Sequence, residues 1–442
     1  MDQHLVLLSI PGLREKDVAV MENLKALTSG GQMAHLVPGF PCVTCPVQAA
    51  MTTGKRPRDH GVVANGFYWR DRKQVEMWTS PASCIESPQI WDLLAHHSAG
   101  LTSAVWFPLH SKQCEADYVC TPAPIHNPDG SESLWCFARP TELYGELRDR
   151  LGHFPLQHFW GPMANVKGTA WIVDSAVHAA EQYRPNFFYI YLPNLDYAAQ
   201  RDGPDSAAAD RAVAEMDEQL GRLAAGVKAA YGDARPLWLV AGEYAITPVD
   251  HVAFPNRILR LAGLLKTLAT GEGEQLDFAR SRAFAMVDHQ LSHVFVADAD
   301  PDVIAKVVDT FTGMPGIADV LAGERLAHYD LDHSRSGEVV LVSAPNSWQA
   351  YYWWLDDERA PGFAKTVDIH RKPGYDPVEL FFDAATKSIP LDASLVKGSH
   401  GAPALDPTQM TVLLCNQPGR FPRQIVRDTD VFDIVLRYFG LQ

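Results

Sequence analysis

The chain has 442 residues, 47% of them hydrophobic, enough to bury a large core as one big domain with insertions or as two to three domains. Lys and Arg number 38 against 53 Asp and Glu, and the formal charge of −15 excludes a general electrostatic footprint for a nucleic-acid polymer or an anionic membrane. A phosphorylated small molecule stays open as a partner, because local N–H donors decide that. No run is long enough for a membrane span. The opening MDQHLVLLSI carries an acid where a secretory leader carries bases. Seven cysteines, an odd number spread from Cys42 to Cys415, fit a reducing compartment better than a disulfide framework. The expectation is a cytoplasmic protein without a membrane partner.

In chain order, residues 5–10 form a nearly continuous apolar run of the kind buried on both faces of a parallel sheet, ending at Pro11-Gly12-Leu13-Arg14. Residues 15–29 have a helical pattern and residues 34–37 read as a short strand. Thr44 then stands at the start of a predicted helix, bracketed by Pro41 and Pro46 and followed by the helix formers Gln48-Ala49-Ala50-Met51. Free backbone N–H groups in such a first turn attract anions. After a turn at Gly54 and a polar run over 55–60, the extended Val62-Val63-Ala64 delivers Asn65, whose amide can reach the same anion. Cys42 and Cys45 flank Thr44 as a C-x-x-C, read as buried thiols because no second pair follows at metal-ligand spacing.

From 66 to about 161 the composition shifts to Trp, Pro, Cys and His with weak periodicity, as an insertion at the rim of a site would; its rings either pack the loop or stack on a bound ring. Residues 171–182 predict a helix, 187–192 a second buried strand, and 207–230 a long helix with Val213, Met216, Leu220 and Leu223 on one face. Residues 236–241 are a third buried strand ending in Glu243-Tyr244. The stretch 284–345 alternates strand and helix patterns as a small α/β unit. His370, Arg371 and Lys372 concentrate positive charge in an acidic chain, as a grip on a phosphate or carboxylate or as a solvated run.

Phe40, Pro41, Thr44, Thr53, Gly54, Pro57, His60, Gly61 and Asn65 fall in the pattern FP-x-x-T, then TG-x-x-P-x-x-HG-x-x-x-N. This resembles the nucleotide pyrophosphatase/phosphodiesterase branch of the alkaline phosphatase superfamily. Four further stretches follow in the family's order. SIPGLR at 9–14 stands for S-I-D-G-L-R. YLPNLDYAAQRDGPDS at 191–206 stands for Y-x-x-x-x-D-x-x-x-H-x-x-GP-x-S. GEYAITPV at 242–249 stands for S-D-H-G-M-T-P-V, and GSHG at 398–401 for G-x-HG.

The resemblance implies a three-layer α/β sandwich around a mostly parallel sheet. Its core would span 1–283 and 346–442, with the rim insertion at 66–161 and a small α/β cap at 284–345. It implies that Thr44 is the nucleophile and that Asn65 takes developing charge. In such relatives one zinc ion lowers the threonine's pKa and both ions clamp the phosphoryl oxygens. Here Asp196 and His400 match ligand positions, but Pro11 replaces an aspartate, Gln200 and Tyr244 replace histidines, and Glu243 replaces an aspartate. Two ions need about six side-chain ligands. At most one divalent ion, most naturally zinc, is therefore expected on Asp196, His400 and Gln200, or none.

The expected function is hydrolysis of a phosphate ester or phosphoanhydride. The alternatives are a metal-independent isomerase or lyase using Asp196, Glu243, Tyr244 and His400 as acids and bases, and a catalytically silent relative that binds a phosphorylated ligand.

Overall fold

The computed structural model describes residues 3–79, 81–96, 100–126 and 132–441. The strand Leu5–Ser9 lies at the centre of a nine-stranded sheet, flanked in parallel by Phe187–Tyr191 on one side and Leu237–Ala241 on the other. All three strands are buried end to end. Alternate side chains serve opposite faces, which is why an uninterrupted apolar run is needed. Val6, Leu8, Phe188, Ile190, Trp238 and Val240 join one core with the helices Val166–Tyr183 and Ala207–Tyr231. Leu5, Leu7, Phe187, Tyr189, Leu237 and Leu239 join another with the helices Thr44–Thr53 and Asp428–Phe439. Helices cover both faces of a mostly parallel sheet, so the three-layer α/β architecture is the observed one.

Two stretches fold differently from their sequence pattern. Residues 15–29 form two short helices, Glu15–Val18 and Glu22–Leu27, rather than one. The break has a distant cause: the Asp217 carboxylate accepts the amides of Asn23 at 3.0 Å and Leu24 at 2.9 Å, starting a new helix there. The stretch 66–161, expected at the rim, supplies three strands to the central sheet. Ser103–Trp106 and Tyr118–Pro122 continue its parallel part and Cys136–Arg139 closes that edge antiparallel. Its rings largely pack: Trp91 and Trp106 are fully buried, and Trp135 stacks edge-on against Tyr144.

A second, four-stranded antiparallel sheet runs Ala283–Asp288, Leu291–Val296, Val339–Ser343, Ile317–Ala322 in spatial order. The helix Pro301–Phe311 packs on it through Val303, Val307 and Phe311. A two-residue turn, His289-Gln290, joins its first two strands and reaches the main body, where the Gln290 amide donates to the His400 carbonyl at 3.0 Å. No helix among the described residues is long and apolar enough to cross a membrane.

Candidate active site

Thr44 is the first residue of a ten-residue helix that begins after extended Val43 and ends at Gly54, whose left-handed φ of 66° suits a residue without Cβ. Every residue of this helix is buried. The first turn is not a set of free donors as expected. The Cys45 amide donates to Asn65 Oδ1 at 2.9 Å, and Pro46 has no N–H. Asn65 is fixed from its other side by Asp288, whose two carboxylate oxygens accept the Asn65 backbone amide at 2.7 Å and its side-chain amide at 3.0 Å. One hydrogen of that side-chain amide is thereby used and one remains.

The carboxyl ends of the central strands bring the other predicted residues to Thr44, as open α/β sheets do. Asp196 lies in the first turn of the helix Asn194–Asp202 that follows Phe187–Tyr191. Glu243 and Tyr244 follow Leu237–Ala241, with Glu243 in the left-handed region at φ 57°. For a fully buried non-glycine residue this is a strained conformation of the kind that collects at functional sites. The Tyr244 hydroxyl lies 2.9 Å from Thr44 Oγ1 and donates to Asp196 Oδ2 at 3.2 Å. Its single proton being used on Asp196, the Thr44 hydroxyl is the donor in the first bond. The result is a directed chain from Thr44 through Tyr244 to Asp196.

Glu243 Oε1 accepts from Ser9 Oγ and from Gln48 Nε2 at 2.8 Å, while Oε2 has no partner. Gln48 is in turn held by the Leu109 amide, which donates to its Oε1 at 2.8 Å. Pro11 contributes no polar group, and next to it the Gly12 amide donates to the Tyr244 carbonyl at 3.0 Å.

His400 donates Nδ1–H to the Cys42 carbonyl at 2.8 Å, leaving the Nε2 lone pair without a partner. Its ring lies flat on Tyr244, centroids 3.7 Å apart and planes 8° from parallel. The His289 ring stands 3.9 Å from that of His400 with the planes 42° apart, and Tyr375 stacks on His289 at 3.7 Å. Tyr375 Oη then donates to Gln200 Oε1 at 2.7 Å. His289 is held by Asp288, which accepts its Nδ1–H at 2.7 Å.

Burial dominates the electrostatics. It pushes the Asp196 carboxyl up to about 7, against the Tyr244 hydrogen bond, and the Glu243 carboxyl up to about 8, with the Asp196 charge adding to the rise. Asp288 is raised to about 6 by burial, opposed by the Asn65 bonds. Burial holds His289 and His400 well below the ordinary imidazole range, so both rings are neutral. A buried carboxyl titrating near neutrality suits a general base, and a neighbouring carboxyl still protonated there can donate a hydrogen bond.

The donor set does not fit the expected ions. Asp196 Oδ1, Glu243 Oε2 and His400 Nε2 lack partners, as ligands awaiting a cation would. Yet among the described residues no three His, Cys, Asp or Glu side chains come together to hold a metal ion. The Tyr244 phenol lies across His400 and bonds both Thr44 and Asp196, and Gln200 is turned to Tyr375. Each of the three residues expected to share an ion is thus engaged through one atom, Asp196 with Tyr244, His400 with the Cys42 carbonyl and Gln200 with Tyr375, while Asp196 Oδ1, His400 Nε2 and Gln200 Nε2 stay open.

The expected cationic grip is also placed otherwise. Lys372 is 1% exposed and ion-paired with Asp376 at 2.8 Å and Glu379 at 2.6 Å, so its charge is matched internally. Those two carboxylates keep the ammonium protonated, the lysine pKa standing above its ordinary value although burial opposes the charge. Arg371 and His370 lie on an exposed turn, where Arg371 pairs with Asp368.

The residues missed from sequence are Ser9, Gln48, Asp288, His289 and Tyr375. Two of them carried a local signal: Ser9 opens the stretch SIPGLR at 9–14, and Gln48 stands one helical turn beyond Thr44 and so on the same face. The centre is enclosed: Thr44 is 3% and Tyr244 1% exposed. A wide groove of about 810 Å³ lies elsewhere, lined among others by Arg14, Lys16, His35, Thr247, Asn346 and Thr411, and its Arg14 and Lys16 are paired to Asp205.

The chain matches the family model described as Type I phosphodiesterase / nucleotide pyrophosphatase over residues 5–376. It is 22% identical over 242 residues to an uncharacterized pyrophosphatase/phosphodiesterase of Schizosaccharomyces pombe, a stretch covering 53% of this chain and 41% of that protein. The chain therefore spans about two fifths of the length of that curated relative.

Among solved structures it is similar to phosphonoacetate hydrolase from Sinorhizobium meliloti 1021 in complex with phosphonoformate, with TM-score 0.62 and 16% identity over 100% of this chain and 95% of that one. It is also similar to murine ectonucleotide pyrophosphatase/phosphodiesterase 5, inactive and in complex with AMP, with TM-score 0.63 and 14% identity over 100% and 96%. The human form of that protein gives TM-score 0.64 and 14% identity over the same shares. At these identities the solved structures speak for the fold, and the family match, running through the strand ends that carry Thr44, Asn65, Asp196 and Tyr244, makes this chain a member of the type I phosphodiesterase/nucleotide pyrophosphatase family.

Proposed function

We propose that this chain hydrolyses a phosphate ester or phosphoanhydride of a small molecule, with Thr44 as nucleophile and Tyr244 and Asp196 as its activating pair. The observation that carries the reading is the directed hydrogen-bond chain Thr44–Tyr244–Asp196. Thr44 Oγ1 attacks phosphorus, its proton passes to Tyr244 Oη, and the Tyr244 proton passes to Asp196 Oδ2. The P–O bond to the leaving group breaks and that group departs with the electron pair. Water then attacks the threonine-bound phosphorus and the P–Oγ1 bond breaks. Thr44 recovers its proton as Asp196 returns one to Tyr244, and the water's proton leaves with the product.

The remaining Asn65 N–H and the protonated Glu243 Oε2 are the groups suited to the developing charge. That two solved neighbours hold AMP or phosphonoformate supports a phosphorylated or phosphonate-like small ligand.

The test is turnover of phosphodiester, phosphomonoester and pyrophosphate substrates by wild type and Thr44→Ala. Wild-type activity lost in Thr44→Ala, with the fold retained, is the expected result. Activity that survives the substitution refutes Thr44 as nucleophile. A second reading, a catalytically silent relative that binds a phosphorylated ligand, is favoured by the enclosure of Thr44 and Tyr244. It predicts no turnover of any of the three substrate classes by wild type.

A further inference from the structure

We propose that the four-ring column Tyr244–His400–His289–Tyr375 replaces the family's metal centre in this chain, so that the site is assembled and held without a bound ion. The column is anchored at positions where the resemblance expects ligands. Tyr244 and His400 stand at two of them and lie face to face at 3.7 Å, and Tyr375 ends the column on Gln200, a third, at 2.7 Å. A fourth, Asp196, is bonded by the Tyr244 hydroxyl at 3.2 Å, and a fifth, Glu243, by Ser9 and Gln48. Pro11 offers no donor at all.

His289 comes from outside the motif. It is carried in by the hairpin turn of the second sheet with a φ of 59°, fixed by Asp288 and inserted between Tyr375 and His400. Three ring contacts of 3.7 to 3.9 Å in succession, all among buried side chains, leave a column of aromatic carbon and nitrogen where coordinated cations would need converging lone pairs. The substitutions Asp to Pro and His to Tyr then read together. Each removes a ligand, and the tyrosine supplies both a stacking face and a hydroxyl that bonds Thr44.

The inference does not depend on turnover, so it can fail or stand apart from the hydrolase reading. Protein purified without chelator is analysed for zinc, manganese, magnesium and iron. Its melting temperature is then measured with EDTA and with added zinc, beside His400→Ala and Tyr375→Ala. The expected result is less than one ion per chain, a wild-type melting temperature indifferent to EDTA, and a lower melting temperature in both variants by the same amount with or without EDTA. Tyr375 is at no expected ligand position but bonds Gln200, which is at one, so it is the equality of its loss with and without EDTA that reports the column and not coordination. One ion or more per chain, together with a wild-type melting temperature that EDTA lowers, overturns the proposal even where neither variant folds. Tyr375→Ala melting as wild type does also overturns it.

Discussion

Tyr244 holds two relations at once, a ring face against His400 and a hydroxyl between Thr44 and Asp196. Tyr244→Phe separates them. It keeps the ring and its stacking, so the fold should melt close to wild type. The hydrogen-bond chain is cut, and turnover should fall by about 10²- to 10⁴-fold, the usual worth of a positioned proton-transfer group. A stopped assay beside a thermal melt checks both. Equal activity in Tyr244→Phe would leave Thr44 with some other activator.

Asn65→Ala should cost about 10²-fold in rate if its remaining N–H meets developing charge. At this scale the motif pattern made the membership of the site legible. It did not make the contacts legible, because Asp288, His289 and Tyr375 arrive from another sheet and a loop more than 200 residues from Thr44 in sequence. Lys372 shows the reverse error. A basic residue in an acidic chain looked available, but its partners Asp376 and Glu379 lay four and seven residues on and took its charge into the interior.

Elements were legible where one pattern met one demand. The three central strands read directly because burial on both faces requires an unbroken apolar run. Within 284–345, read as alternating strand and helix, the helix Pro301–Phe311 carries its pattern plainly, with Val303, Val307 and Phe311 at helical spacing behind the capping Asp300. The strands Ser103–Trp106 and Cys136–Arg139 did not, since four residues between irregular loops carry too little period.

The short connection that carries His400 depends on a close approach. A Cβ on Gly398 would stand 2.1 Å from the Ala199 carbonyl oxygen, at the helix that carries Asp196 and Gln200. Since the clash is with backbone, Gly398→Ala should destabilise by about 1–3 kcal/mol or more, as overpacking does. It should also lower activity more than its stability loss alone explains. Chemical denaturation gives the first quantity, and a variant as stable as wild type would show that the two segments part easily.

For the whole molecule, acid is the revealing variable. Burial lowers His60 to about 3 and His110 and His293 to about 4, from an ordinary 6.5. His293 shows why: Nδ1 accepts the Gly337 amide at 3.1 Å and Nε2–H donates to the Val63 carbonyl at 3.0 Å, so one neutral tautomer is built into the join between the second sheet and the Asn65 loop. Below pH 6.5 the unfolded chain takes up protons that these folded rings refuse. The stability they hold is thus intact above 6.5 and is lost as pH falls toward 4, by up to about 1.4 kcal/mol per pH unit for each group. The raised carboxyls of Asp196, Glu243 and Asp288 bind protons in the folded chain first and work the other way, so the histidine share is read by difference: from pH 7 to pH 4 the wild-type urea midpoint should fall relative to that of His293→Gln. A constant difference between the two over that range would place the His293 ring in contact with water.

Attack by Thr44 through Tyr244 and Asp196, with no metal between them, would leave a covalent trace. It is tested most directly by mixing the protein, in EDTA, with an activated phosphodiester, quenching in acid, and locating any covalent adduct by peptide mass spectrometry. The expected result is a phosphoryl-ester adduct on Thr44 in wild type, sharply reduced in Tyr244→Phe and absent from Thr44→Ala. An adduct that forms only when a divalent metal is supplied, or none on Thr44 while the substrate is still consumed, would contradict it.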